Sequence, residues 1–318
     1  MKVLCVGNQK GGVSKTTTSL NLCYSLANTF KKKVLLIDMD SQGSASLNLQ
    51  IDVASDDVHT IDEILEPIVL RKQKVAAWDA LKECIYTPTF TDRIRDPEDR
   101  MKWKQIQSPY GFDVIPSSLY LSIVEMKMGI AAGQFYGGMI NQFYLKNAVV
   151  DVIGEYGDYD FVVIDTPPSL GALSVNSMAA AVDGVIIVSN LDVMSTRGIE
   201  SFIESTETVQ NYNEAHRGIL GILFALYSDR RAVDRQVDDW AQQFLPIPVF
   251  DTRIPETANV KKANSSKLLV SQIDKKMKTA YDSFANEVIY ATEHPDEKIG
   301  SAKYAGDHSQ MSLDLGEE

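Results

Sequence analysis

Lys2-Val3-Leu4-Cys5-Val6-Gly7-Asn8-Gln9-Lys10-Gly11-Gly12-Val13-Ser14-Lys15-Thr16-Thr17-Thr18 decides how the rest of the chain is read. Val3 to Val6 is an apolar run, the pattern of a short buried strand. A glycine-rich turn follows. Beyond it Leu20, Cys23 and Leu26–Ala27 recur at the spacing of one helical face. Strand, glycine turn and helix N-terminus together form an anion site, because backbone N–H groups close around phosphate oxygens and the helix dipole favours negative charge. Gly11, Gly12, Val13, Ser14, Lys15, Thr16 and Thr17 are the residues expected around the phosphates. Lys15 can reach the β- and γ-phosphates, and the Thr16 hydroxyl can ligate Mg²⁺.

The loop differs from G-x-x-x-x-G-K-[ST]: Gln9 stands at the first glycine and Ser14 at the last. It matches K-G-G-x-x-K-[ST]-T, with the second lysine, Lys10, opening the loop. In that pattern it resembles the deviant Walker A motif of the ParA/MinD ATPases.

Two further strands end in acids. Val34-Leu35-Leu36-Ile37-Asp38-Met39-Asp40-Ser41-Gln42-Gly43 is a continuous apolar run closed by two carboxylates. Such a run suits a strand buried on both faces of a parallel sheet. Ligands of open α/β sheets lie beyond the carboxyl ends of the strands, so Asp38 and Asp40 are expected beside the phosphate loop. Asp160-Phe161-Val162-Val163-Ile164-Asp165-Thr166-Pro167-Pro168-Ser169 has the form of a Walker B strand, whose Asp holds Mg²⁺. D-x-D-x-Q-G and D-T-P-P-S resemble the two switch segments of ParA-type ATPases.

Other apolar runs, Gly111 to Ser117, Val182 to Val188, Gly218 to Leu226 and Leu245 to Phe250, read as strands. They alternate with helical stretches at 56–67 (Thr60 as N-cap, Glu63 three later), 69–84, Leu119 to Ile153, Gly198 to Tyr212 and Lys267 to Ala291. The alternation predicts an α/β fold, a parallel β-sheet flanked by helices on both faces. One ATPase domain over 1–292 is expected. It carries an insertion at about 85–110, read as a charged surface element, and a disordered acidic tail at 293–318.

Composition narrows the class. Of 318 residues, 44% are hydrophobic, and no apolar run is long enough for a membrane helix. The N-terminus enters a strand directly, so no secretory leader is expected. The three cysteines are widely spaced, which suits a reducing cytosol, and the four histidines form no metal-ligand spacing and read as surface residues. A net charge of −12 disfavours indiscriminate binding of nucleic acid by the whole surface and leaves room for a local basic patch.

The resemblance covers Lys2 to about Ala291 and points to the ParA/Soj type. It implies an ATP–Mg²⁺ enzyme that forms an ATP-dependent homodimer, binds duplex DNA non-specifically as that dimer, and is released when a ParB-like protein stimulates hydrolysis. By motif position, Lys10 would cross to the partner's phosphates and Thr17 would hold the α-phosphate. Asp40 would orient the attacking water, and Asp165, with Asp38, would support Mg²⁺. Arg230 matches the family's basic residue in Y-x-x-R, with Arg231 beside it, whereas a second family arginine falls at Asn259, close to Lys261 and Lys262. A cytoplasmic, nucleoid-associated protein without membrane attachment is implied. The alternatives are a ParA-like ATPase that positions another cargo, and a nucleotide switch acting on a protein partner without a DNA track.

Overall fold

The computed structural model describes residues 1–70, 72, 74–95, 103–134, 143–191 and 195–297. Seven parallel strands form one sheet in the order β5-β2-β6-β1-β7-β8-β9. They are β1 (Lys2–Gly7), β2 (Val34–Asp38), β5 (Asp113–Ile115), β6 (Phe161–Asp165), β7 (Gly184–Ser189), β8 (Ile219–Tyr227) and β9 (Val249–Pro255). The sequence places the last of these too early. Leu245 to Pro248 lie outside the strand, where two prolines would remove ladder donors, and the strand continues to Pro255.

Side-chain alternation builds the two faces. From β1, Leu4 and Val6 enter one buried cluster with α1 (Lys15–Asn28) and α12 (Lys275–Glu293). Val3 enters the opposite cluster with α3 (Ile61–Val69), α5 (Leu121–Gln134) and α6 (Asp151–Tyr156). Cys5 joins a third with α7 (Ala172–Ala180), α8 (Ser195–Asn211) and α9 (Ala232–Phe244). All of β1, β2, β6 and β7 except Lys2 is buried, as expected for the interior of a covered parallel sheet.

Several helices differ from their sequence reading. The stretch at 56–67 becomes helical only at Ile61, after the Thr60 N–H donates to Glu63 Oε1 at 3.2 Å. Helix at 69–84 shrinks to α4 (Trp78–Glu83). Leu119 to Ile153 resolves into α5, a π-helical turn (Lys146–Val150) and α6, with 135–142 outside the described residues. The last helix, expected from Lys267, divides into α11 (Val270–Ile273) and α12, and a separate helix α10 (Asn259–Ser265) precedes it. Asp274 makes the final break, since its carboxylate accepts from the Lys276 and Met277 N–H groups as an N-cap.

The stretch at 85–110 contains an antiparallel hairpin, β3 (Thr89–Arg95) with β4 (Trp103–Pro109). It is tied to the body by its base. Phe90 lies 5.0 Å from the Tyr110 ring, and the Tyr110 hydroxyl donates to Lys267 O at 2.9 Å. Residues 96–102 and the tail at 298–318 lie outside the described residues.

His216 is buried, contrary to its reading as a surface residue. The Gly218 N–H donates to Nδ1 at 2.9 Å, so Nε2 carries the proton and donates to Met178 O at 2.8 Å. Burial lowers its pKa from 6.5, opposed by the Met178 carbonyl and Asp183. The neutral ring is therefore the form that the fold favours. Its stability is fully present above pH 6.5 and is lost as pH falls through the depressed folded value. Chemical denaturation between pH 7.5 and 5 is expected to show this acid-side loss, and His216→Gln to flatten it while lowering stability at pH 7.5.

Candidate functional site

Three strand ends meet at the carboxyl edge of the sheet. In register, Val6 of β1 lies beside Asp165 of β6, and Asp165 lies beside Asp38 of β2. The loop after β1 is fastened first: Asn8 Nδ2 donates to Val188 O at 2.7 Å, and the Lys10 N–H donates to Asn8 Oδ1 at 3.0 Å. Gly12 has φ +77°, the left-handed region where glycine is unstrained. Ser14, at the consensus glycine position, also has φ 72° and precedes the first residue of α1. An L-residue there costs roughly 1–2 kcal/mol, which is backbone strain held at the mouth of the loop.

Lys15 opens α1 and turns back into the loop, where its Nζ donates to Lys10 O at 3.0 Å. It is 7% exposed. Burial lowers its pKa, while Asp165 and Asp40 act in the opposite direction. Thr16 Oγ1 donates to Asp165 Oδ2 at 2.8 Å and Ser19 Oγ to Asp165 Oδ1 at 2.7 Å. Burial raises the Asp165 pKa to about 7, with the Asp38 charge adding to the shift. Asp38 is raised to about 6, again mainly by burial, with hydrogen bonds from Ser46 and Asp40 opposing.

The two acids of the β2 edge have different surroundings. Asp38 Oδ2 accepts from Ser46 N at 3.0 Å and Ser46 Oγ at 2.7 Å, and its Oδ1 accepts from Asp40 N at 3.1 Å. Asp40 Oδ1 accepts from Gln42 N at 3.0 Å, and its Oδ2 has no hydrogen-bond partner among the described residues. Ser19, Ser46 and Ser117 were not singled out as site residues in the sequence. A hydroxyl residue four positions after Lys15, one helical turn along the same face, is the signal in the sequence for Ser19.

Helix α5 reaches both switch segments. Ser117, just before it, donates through Oγ to Asp40 O at 2.6 Å. From the middle of α5, Glu125 Oε1 accepts from the Leu173 N–H at 3.2 Å, in the first turn of the helix that follows Asp165-Thr166-Pro167-Pro168-Ser169.

The predicted basic residues separate into two kinds. Arg230, Lys261 and Lys262 are exposed and form no ion pair among the described residues. Arg231 is instead ion-paired with Glu256 and lies 3.6 Å from Asp234. Asn259, at the position of the second family arginine, donates through Nδ2 to Asp274 Oδ2 at 2.8 Å and so joins the start of α10 to the start of α12.

An AAA domain family model matches residues 1–217. The chromosome partitioning protein ParA of Caulobacter vibrioides is 30% identical over 91% of this chain and 94% of its own length. The chain belongs to the ParA/MinD superfamily of P-loop ATPases. The sporulation initiation inhibitor protein Soj of Bacillus subtilis is 28% identical over 83% of this superfamily member and 88% of its own chain. Among solved structures, cobyrinic acid a,c-diamide synthase from Mycobacterium smegmatis with a bound ATP analogue and magnesium superposes with a TM-score of 0.66. It shares 26% identity and covers 94% of this chain and 98% of that one. Among the described residues no helix is long and apolar enough to cross a membrane.

The Glu125 contact can be tested through Gly171. A β-carbon at position 171 would lie 2.1 Å from Glu125 Oε1, and Gly171 has extended backbone that any residue adopts. Gly171→Ala is expected to turn the Glu125 carboxylate aside and cost about 0.5–1.5 kcal/mol, the net worth of one hydrogen bond, since the bond is only partly buried. Glu125→Ala added to it is expected to cost little more, which a double-mutant cycle of denaturation midpoints would read.

Proposed function

We propose that this chain hydrolyses ATP, dimerises around it, and acts as a partition ATPase that binds DNA without sequence preference in the ATP state. The observation that carries the reading is the arrangement of buried Lys15 and Asp165 with half-buried Thr16 at a loop opened by a second lysine. The donor set suits a nucleotide with Mg²⁺: loop N–H groups and an ammonium for phosphate, a hydroxyl and a carboxylate as hard oxygen donors for the metal.

In this reading Lys15 leaves the Lys10 carbonyl for the β- and γ-phosphates, and Gly11 to Thr17 supply the surrounding donors. Thr17 is the residue that holds the α-phosphate. Thr16 and Asp165 would hold Mg²⁺, whose positive charge would offset that of the transferring phosphoryl group. Asp38, whose oxygens already accept three donors, holds the switch segment rather than the metal. Asp40 has an uncommitted oxygen and orients the attacking water. Lys10 crosses to the partner's nucleotide and adds positive charge where negative charge develops, as an arginine finger does. Without the γ-phosphate, facing lysines repel, which makes dimerisation depend on ATP.

Lys15→Ala is expected to abolish binding of a fluorescent ATP analogue. Lys10→Ala should retain that binding as a monomer while failing to form the ATP dimer in light scattering. Normal dimerisation and turnover of Lys10→Ala would remove its cross-subunit role.

For DNA, Arg230, Lys261 and Lys262 are the phosphate-contacting candidates, duplicated on the dimer. Arg231 contributes less because Glu256 and Asp234 offset its charge. Phosphate contacts carry no base information, so Arg230→Ala should weaken unrelated duplexes equally. Affinity should fall with salt, with a log–log slope of about −0.9 per phosphate contacted, and Arg231→Ala should alter it less than Arg230→Ala. Polarisation titrations with ATP and ADP at several salt concentrations would measure both. An ATP dimer with no affinity for DNA at low salt would leave a nucleotide switch that acts on a protein partner.

A further inference from the structure

Asp40 sits in a closed circuit of hydrogen bonds that holds its main chain and leaves one carboxylate oxygen outside it. Its N–H donates to Asp38 Oδ1 at 3.1 Å. Asp38 Oδ2 accepts from Ser46 Oγ at 2.7 Å, and Ser46 Oγ in turn accepts from the Ser117 N–H at 3.2 Å. Ser117 Oγ closes the ring by donating to Asp40 O at 2.6 Å. Asp38, Ser46 and Ser117 are completely buried, and Asp40 is 7% exposed. The ring therefore joins the end of β2 and the middle of the short helix α2 (Ser44–Asn48), 8 residues on, to the turn after β5, 71 residues later.

Resting on the role given above to Asp40, we infer that Ser46 and Ser117 are positioning residues for the hydrolytic step. They set the direction in which the Asp40 side chain leaves the backbone. Both the N–H and the C=O of Asp40 are fixed by side chains, so rotation of either adjoining peptide must break a buried hydrogen bond. A buried bond of this kind is expensive to leave unmade, so the ring is rigid. The turn is tight as well as bonded: Gly43 has φ +60°, its N–H donates to Asp40 O at 2.8 Å, and a β-carbon there would lie 3.3 Å from Ser117 O. Ser118 extends the anchorage by donating through N and Oγ to Asp62, each at 3.1 Å. Neither serine is needed to hold the phosphates, which Lys15 and the glycine loop serve from the other side of Asp38.

The test is single-turnover ATP hydrolysis by Ser46→Ala, Ser117→Ala, the double variant, Ser117→Thr and Asp40→Ala, with thermal melting and fluorescent-nucleotide affinity measured on each. A displacement of about 1 Å in a positioned group costs up to about 10²-fold in rate. Each serine-to-alanine change is therefore expected to lower the hydrolysis rate about tenfold or more while nucleotide affinity holds, and also to lower the melting temperature, because a buried partner is left unmade. The double variant is expected to lose no more than the worse single one, because one broken link opens the ring. Ser117→Thr, which keeps the hydroxyl, is expected to restore the rate. Wild-type rates in both serine variants alongside a slow Asp40→Ala would overturn the positioning role alone. Rates that fall only as far as nucleotide affinity falls would make the serines merely structural and overturn it too. A wild-type rate in Asp40→Ala would remove the role of Asp40 itself, and the inference with it.

Discussion

Two carboxylates buried side by side on neighbouring parallel strands are the constraint on which the site depends. Asp38 and Asp165 are both inaccessible to solvent and pair in register across β2 and β6. Burying charge is costly unless donors replace the lost water. Here the donors come from elsewhere in the chain: Thr16 and Ser19 of α1 for Asp165, Ser46 and the Asp40 N–H for Asp38. Both acids have pKa values raised above the ordinary 3.8, so stability present at low pH is lost as pH rises through about 6 and about 7. At neutral pH the apparatus is thus under electrostatic tension, which an added positive charge beside Asp165 would relieve. Lys15 is a cation whose charge Asp165 favours, against the burial that lowers its pKa.

Helix α5 links the segments beyond the two acids. Ser117 and Ser118 lead into the helix from Asp40 and Asp62, and Glu125 leaves it to meet the Leu173 N–H. The two segments that follow Asp38 and Asp165 are consequently braced against one common bar. On its outer side the same helix exposes Ile123, Met126 and Ile130, with Leu119 and Tyr120 just before it. The spacing of those side chains is helical, so they share one face.

The central strands were legible because burial on both faces leaves an unbroken apolar run: Val34 to Ile37 and Phe161 to Ile164 admit hardly another reading. The nucleotide loop was legible because its glycines and lysines recur at a spacing tied to one chemistry. What escaped was set by partners distant in sequence. Thr89 to Arg95 looks like a charged surface stretch, yet it pairs with Trp103–Pro109, and Phe90 packs on the Tyr110 ring of the body. His216 looks polar, but backbone groups at Met178 and Gly218 satisfy both ring nitrogens. Arg231 reads as a free cation until Glu256 is brought beside it by the β8–β9 pairing. The continuous helix expected from Lys267 fails at Asp274, whose cap is worth about 1 kcal/mol and needs only two local N–H groups.

The strand order also governs how the chain can acquire its structure during synthesis. β1 is made first but sits between β6 and β7, and Thr16 meets Asp165 across 149 residues. Until half of the polypeptide has left the ribosome, the amino-terminal strand and its glycine loop have no parallel neighbours to pair with. Non-local pairing of this kind is slow and leaves apolar strand edges open to other chains in the meantime. Fragments ending before residue 161 would lack both neighbours of β1 and thus the middle of the sheet. Nascent chains of this protein should therefore lean on holdase chaperones until β6 and β7 emerge.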